Sequence, residues 1–178
     1  LILPALVKNE NAAAIEARIK SAASREEKLA LYEALFTKRV DAGEIGPAEE
    51  IIKSMVELIE ASPEKARMSK FGTFGDDVAI ANAKINYLAI AKMLAKRGDR
   101  EGSRRMIGRA REAIARVPAE AGIALAMLNM KLIDALIAMG DLDEARIALG
   151  QMRNGFEQSA LAGTVAAVFN KKVFAKRR

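Results

Sequence analysis

Three times along this chain a stretch with helical apolar spacing stops at a glycine, meets an acidic residue and starts again. Ala42-Gly43-Glu44-Ile45 leads into Pro47-Ala48-Glu49-Glu50-Ile51, and Arg97-Gly98-Asp99-Arg100 leads into Gly102-Ser103-Arg104-Arg105-Met106. Met139-Gly140-Asp141-Leu142 leads into Glu144-Ala145-Arg146-Ile147. Glycine takes the left-handed backbone that closes a helix C-terminus. The neighbouring acid can cap the next helix and suits its positive end. In a chain rich in Ala, Leu, Met, Lys, Arg and Glu, with only 4% aromatic residues, this punctuation predicts an all-α fold of antiparallel helix hairpins.

The residues after each glycine agree in register. Five positions on stand Ala48, Ser103 and Ala145, all small; eight on stand Ile51, Met106 and Ala148. Nine on stand Ile52, Ile107 and Leu149; twelve on, Met55, Ala110 and Met152; sixteen on, Ile59, Ile114 and Phe156. These offsets trace one face of a helix. The small residue lets the two arms of a hairpin touch near their turn. Tyr32 and Tyr87 precede the first two turns by the same distance, and Pro63 and Pro118 close the helices that follow them.

The spacing places a first helix over 10–23, then hairpins over 25–61, 77–117 and 119–153. The second of these has arms at 77–97 and 101–117. A last helix over 156–178, with Leu161, Val165, Val168 and Phe169 in step, would cap the array. The whole reads as a single domain over 1–178, interrupted by a loop at 62–76 that carries Phe71 and Phe74, a candidate contact point.

The Gly-acid turn, the Glu-Ala pair after it and the closing proline resemble the tetratricopeptide-type helical hairpin repeat. The resemblance covers residues 24 to 156 and is divergent. Turn-to-turn spacing is 55 and then 42 residues, against roughly 34 in the family. The small residue that the family carries midway along the first helix is met only by Ala91. What the resemblance implies is a right-handed α-solenoid whose concave groove is lined by the first helix of each pair. On those helices Lys92, Lys96, Met130 and Asp134 would face a partner segment.

With no His and no Cys, the chain excludes Ser-His-Asp and Cys-His nucleophile systems, His- or Cys-based metal sites and disulfides. Its vicinal acidic pairs, such as Glu49-Glu50 and Asp76-Asp77, all fall at helix starts, where capping explains them. No enzyme activity, cofactor or metal is therefore expected.

Charge is unevenly spread. Net charge is +6, and 92–116 alone contributes +6, the tail 171–178 another +5, leaving −5 for the remainder. On a helical wheel Ser103, Met106, Ile107, Ala110, Ala113, Ile114 and Val117 share one side, and Arg104, Arg105, Arg109, Arg111 and Arg116 the other. Arginine offers two donors to a carboxylate or phosphate.

The expected role is a non-enzymatic protein-interaction module or scaffold for a partner segment bearing acidic residues. One alternative is a binder of nucleic acid or an anionic surface through the Arg-rich helix and basic tail. Another is a structural subunit of an oligomer or larger complex. No uninterrupted apolar run reaches the ~20 residues of a membrane span. The start, Leu1 to Val7, is apolar, broken by Pro4, and reads as a segment of core contacts. A cytoplasmic location is the working expectation. An exported, periplasmic one is the alternative if that apolar start is a processed end.

Overall fold

A computed structural model describes residues 7, 10–61 and 75–155, with side chains described through Met152. All regular secondary structure among the described residues is helical, without a strand among them. The helices are α1 (Ala12–Ser21), α2 (Arg25–Asp41), α3 (Ile45–Glu60), α4 (Gly75–Lys84), α5 (Tyr87–Lys96), α6 (Arg100–Ala115), α7 (Gly122–Met139) and α8 (Leu142–Gly155), with a 3-10 turn at Ala119–Ala121. The chain divides into two compact units, Leu1–Arg67 and Met68–Arg178. The apolar residues 1–6, most of the loop with Phe71 and Phe74, the capping segment 156–178 and the basic tail lie outside the described residues.

All three Gly-acid turns are built alike. Gly43, Gly98 and Gly140 have φ of 77°, 83° and 82°. The glycine N–H of each donates to the carbonyl three residues back (Val40, Ala95, Ile137) at 2.9–3.1 Å. The next N–H donates to the carbonyl five back (Arg39, Leu94, Leu136) at 2.8–3.0 Å. This is the Schellman arrangement, which satisfies the last carbonyls of the incoming helix.

The acids beside these glycines do not act alike. Asp99 caps α6, its Oδ1 accepting from the Gly102 N–H at 2.8 Å. Glu44 makes no side-chain cap to α3; its carboxylate turns back to Arg39.

In the first unit α2 packs against both α1 and α3. Ser24 caps α2, its Oγ accepting from the Glu27 N–H at 3.1 Å. The buried stripe of α3 is Ala48, Ile51, Ile52, Met55, Val56 and Ile59, and the facing helix supplies Leu31, Leu35 and Phe36. Pro47 falls in the first turn of α3, where its missing N–H would have no helical partner.

Arg39 joins three segments, with one guanidinium nitrogen on Glu16 of α1 and another on Glu44, each at 2.5 Å. The hydrogen bonds to Glu16 and then Glu44 hold the guanidinium pKa above its ordinary value. A raised pKa contributes stability at every pH below the ordinary guanidinium value and loses it only above the raised one. Arg39→Met keeps the apolar stem and removes both pairs. It is expected to cost about 1 kcal/mol, read as roughly fivefold faster amide exchange in α2. That cost should be constant from neutral to mildly alkaline pH.

In the second unit α5 and α6 form the closest pair, α7 and α8 the next. Helix α7 also lies against α4, α5 and α6, so it touches both arms of the preceding hairpin. Every described position of the repeated register is buried in α6 and α8, including Ser103, Met106, Ile107, Ala110, Ala145 and Leu149.

Two expected helices are broken. The arm at 77–97 divides at Ile85 and Asn86, where Leu88 and Ala89 donate to Ile85 and Asn86, three residues back. Tightened turns of this kind suit Asn, a weak helix former, while Ile85 stays in the core. The arm at 119–139 opens as the 3-10 turn and becomes α-helical only at Gly122, whose φ is 22°.

Two helical stretches, Gly75–Lys96 and Ala119–Met139, are long and apolar enough to cross a membrane by length and composition. In the fold 44% and 33% of their apolar windows are buried. Lys131 and Asp134 lie on the second stretch, and each would cost about 3 kcal/mol near a bilayer centre.

Candidate partner-binding surfaces

The arginine side of α6 faces outward as its spacing requires, but much of its charge is spent within the fold. Arg105 pairs with Glu101 one turn back at 2.8 Å. Arg111 reaches across to Glu144 of α8 at 2.5 Å. The Arg109 guanidinium stands 5.2 Å from the centre of the Tyr87 ring, a cation–π contact between α6 and α5. The acids of α6 alone do not account for this: the Glu144 carboxylate and the Tyr87 ring come from neighbouring helices.

A different set of cations is left over. Lys92 and Lys96 on α5, Arg97 beside the turn, and Arg100 and Arg104 at the start of α6 make no ion pair among the described residues. Lys92 and Lys96 are one turn apart on one face of α5, as are Arg100 and Arg104 on α6. Lys92 is half-buried; the other four are exposed. Sequence reasoning singled out Lys92, Lys96 and Arg104. Arg100 lies within the basic run 92–116 and differs from Arg105 and Arg111 in making no ion pair among the described residues.

Arg100 and Arg104 border an open cleft of about 360 Å³ between the α5–α6 hairpin and the α7–α8 turn, completed by Ala95, Ser103, Ile107, Met139, Gly140 and Asp141. Small side chains make the room: Ala95 and Gly140 leave the walls low, and Ser103 lies beneath, its Oγ donating to the Met139 Sδ at 3.4 Å. A second cleft of about 400 Å³ shares Arg104, Ile107 and Asp141 and runs on to Arg111, Asp143 and Glu144. One wall of this trough is basic, the other acidic, and Ile107 lies in both parts.

On α7, Met130 is half-buried and Asp134 exposed. The same face carries two residues that sequence reasoning missed, Ile123 at 66% exposure and Met127 at 57%. The signal was available, since 123, 127, 130 and 134 follow helical spacing. It was hidden because α7 is apolar on nearly every side, which leaves no polar face to mark the solvent direction. Lys131 beside this stripe donates to the Asn82 Oδ1 of α4 at 3.3 Å. Phe71 and Phe74 lie outside the described residues.

Among the described residues no three Asp or Glu side chains gather where they could hold a metal ion. No family model, curated protein or solved structure matches the chain.

Proposed function

We propose that the chain is a non-enzymatic protein-interaction module that receives an acidic segment of a partner protein at the α5–α6 hairpin and its adjoining cleft. The observation that carries this reading is the contrast between two sets of cations on one hairpin. Arg105, Arg109 and Arg111 are engaged by Glu101, Tyr87 and Glu144, whereas Lys92, Lys96, Arg97, Arg100 and Arg104 make no ion pair among the described residues. Carboxylates of a partner would complete them. Ile107 and Met139 in the cleft would bury apolar atoms of the same segment, and the charges would set its direction and rate of arrival.

The wider architecture we infer is a tetratricopeptide-like array. Its support is the thrice-repeated turn and the seating of α7 on both arms of the hairpin before it, the contact by which such a stack adds a unit. In that array Lys92, Lys96, Met130 and Asp134 belong to first helices and line the groove.

The test uses a fluorescent helix-forming peptide rich in Glu and Leu as the probe. Saturable binding is expected, and Arg100→Glu combined with Arg104→Glu should weaken it at least about tenfold. Arg105→Glu, at a residue already paired, should change it by less than about threefold. Equal losses from both changes, or no binding by the parent chain, would overturn the reading. Tighter binding to DNA or RNA, with affinity falling steeply in salt, would move the ligand class to nucleic acid.

A further inference from the structure

We infer, on the reading of this trough as the seat of a partner segment, that the segment is not purely acidic. It carries acids along one side of an apolar seam and a Lys or Arg along the other, and Asp141 receives that cation. The contrast that singles out the arginines recurs among the acids of the facing wall. Glu144 is engaged by Arg111, and Asp143 by Arg146 at 3.6 Å. Asp141 is half-buried, and its carboxylate makes no hydrogen bond or ion pair among the described residues.

Arg104, Ile107 and Asp141 belong to both parts of the trough. They supply a cation, an apolar side chain and an anion, and the two charges border one trough without pairing with each other. A segment bearing acids alone would satisfy Arg100 and Arg104 but bring like charge against Asp141. Covering a carboxylate without a partner costs free energy. A segment of both signs removes the conflict. In a helix the residues just before and just after a seam residue point about 100° to either side of it. An acid at one and a base at the other meet the two walls, while the seam residue covers Ile107.

Long-range attraction works the other way. The chain carries a net charge of +6, which favours the more acidic ligand. A preference for the mixed ligand therefore reports the acidic wall and not the field of the whole molecule.

Fluorescence titration of the whole chain with three helix-forming peptides tests this. The first is the Glu- and Leu-rich probe. The second has Leu along its seam, Glu on one flank and Lys on the other. The third has the composition of the second, with Glu and Lys mingled on both flanks. The two-flank peptide should bind at least about threefold tighter than either of the others. Asp141→Asn keeps a capping side chain ahead of α8, and circular dichroism checks that the variant is folded. It should weaken the two-flank peptide about threefold or more and strengthen the Glu/Leu probe, whereas a merely structural loss would move both the same way. A Glu/Leu probe that binds through Arg100 and Arg104 at least as tightly as the two-flank peptide would overturn the inference and leave the acidic-segment reading standing. So would a mingled peptide equal to the two-flank one, or a preference untouched by Asp141→Asn. No binding by any of the three peptides would overturn both.

Discussion

Ile133→Ala is expected to lower the stability of the second unit by about 3 kcal/mol, and to lower its melting temperature by roughly 10 °C. Ile133 has no exposed surface and sits on α7, which touches α4, α5, α6 and α8. Deleting its outer carbons removes apolar area from a site walled by several rigid helices, so the gap collapses only in part. Ile123→Ala, on the same helix but 66% exposed, removes the same atoms and should cost less than about 0.5 kcal/mol. Thermal unfolding of the two variants side by side checks this. Equal effects would mean that the core does not lie where α7 meets its four neighbours.

The second large effect runs in the opposite sense, from too little room. Ala145→Leu should cost about 2–3 kcal/mol. Ala145 is fully buried at the start of α8, five residues after Gly140, at the point where the arms of the α7–α8 hairpin come together. A larger side chain forces α8 off α7 or adopts a strained rotamer. Ala48→Leu at the matching place in the first unit should behave alike, since Ala48 is also fully buried. Ala115, exposed on α6, is the control and should accept Leu with little change. Urea denaturation of the three variants measures the contrast. A buried site that takes Leu without loss would remove the steric reason for the small residue.

The repeated register was legible because it carries two signals at once. The glycine fixes where the chain reverses, and the apolar spacing fixes which side of the next helix is covered. Ile51, Ile52 and Met55 in one unit and Met106, Ile107 and Ala110 in the other are buried as their offsets require. The breaks at Ile85–Asn86 and at Gly122 were not legible, because each keeps its apolar residues in phase and changes only the local hydrogen bonding.

For the candidate surfaces the difficulty was of another kind. Wheel positions show which arginines face out, and they do show it for α6. They cannot show that Arg111 meets an acid from α8, or that Arg109 meets a ring from α5, since both partners arrive through the fold. Nor could a helix as uniformly apolar as α7 reveal from its letters that Ile123 and Met127 are the uncovered ones.

The cap on α6 has a bearing on how this chain could be made more heat-resistant. Exchanging a mid-helix glycine for alanine ordinarily gains about 1 kcal/mol, and a methyl group added at Gly108 or Gly150 would meet nothing within 4 Å. At Gly102 the same methyl would fall 2.3 Å from the Asp99 Oδ2. The carboxylate would have to swing off the N–H it holds, so the usual gain is cancelled by a lost latch worth about as much. Two of these three glycines are open to improvement; the third is already in use.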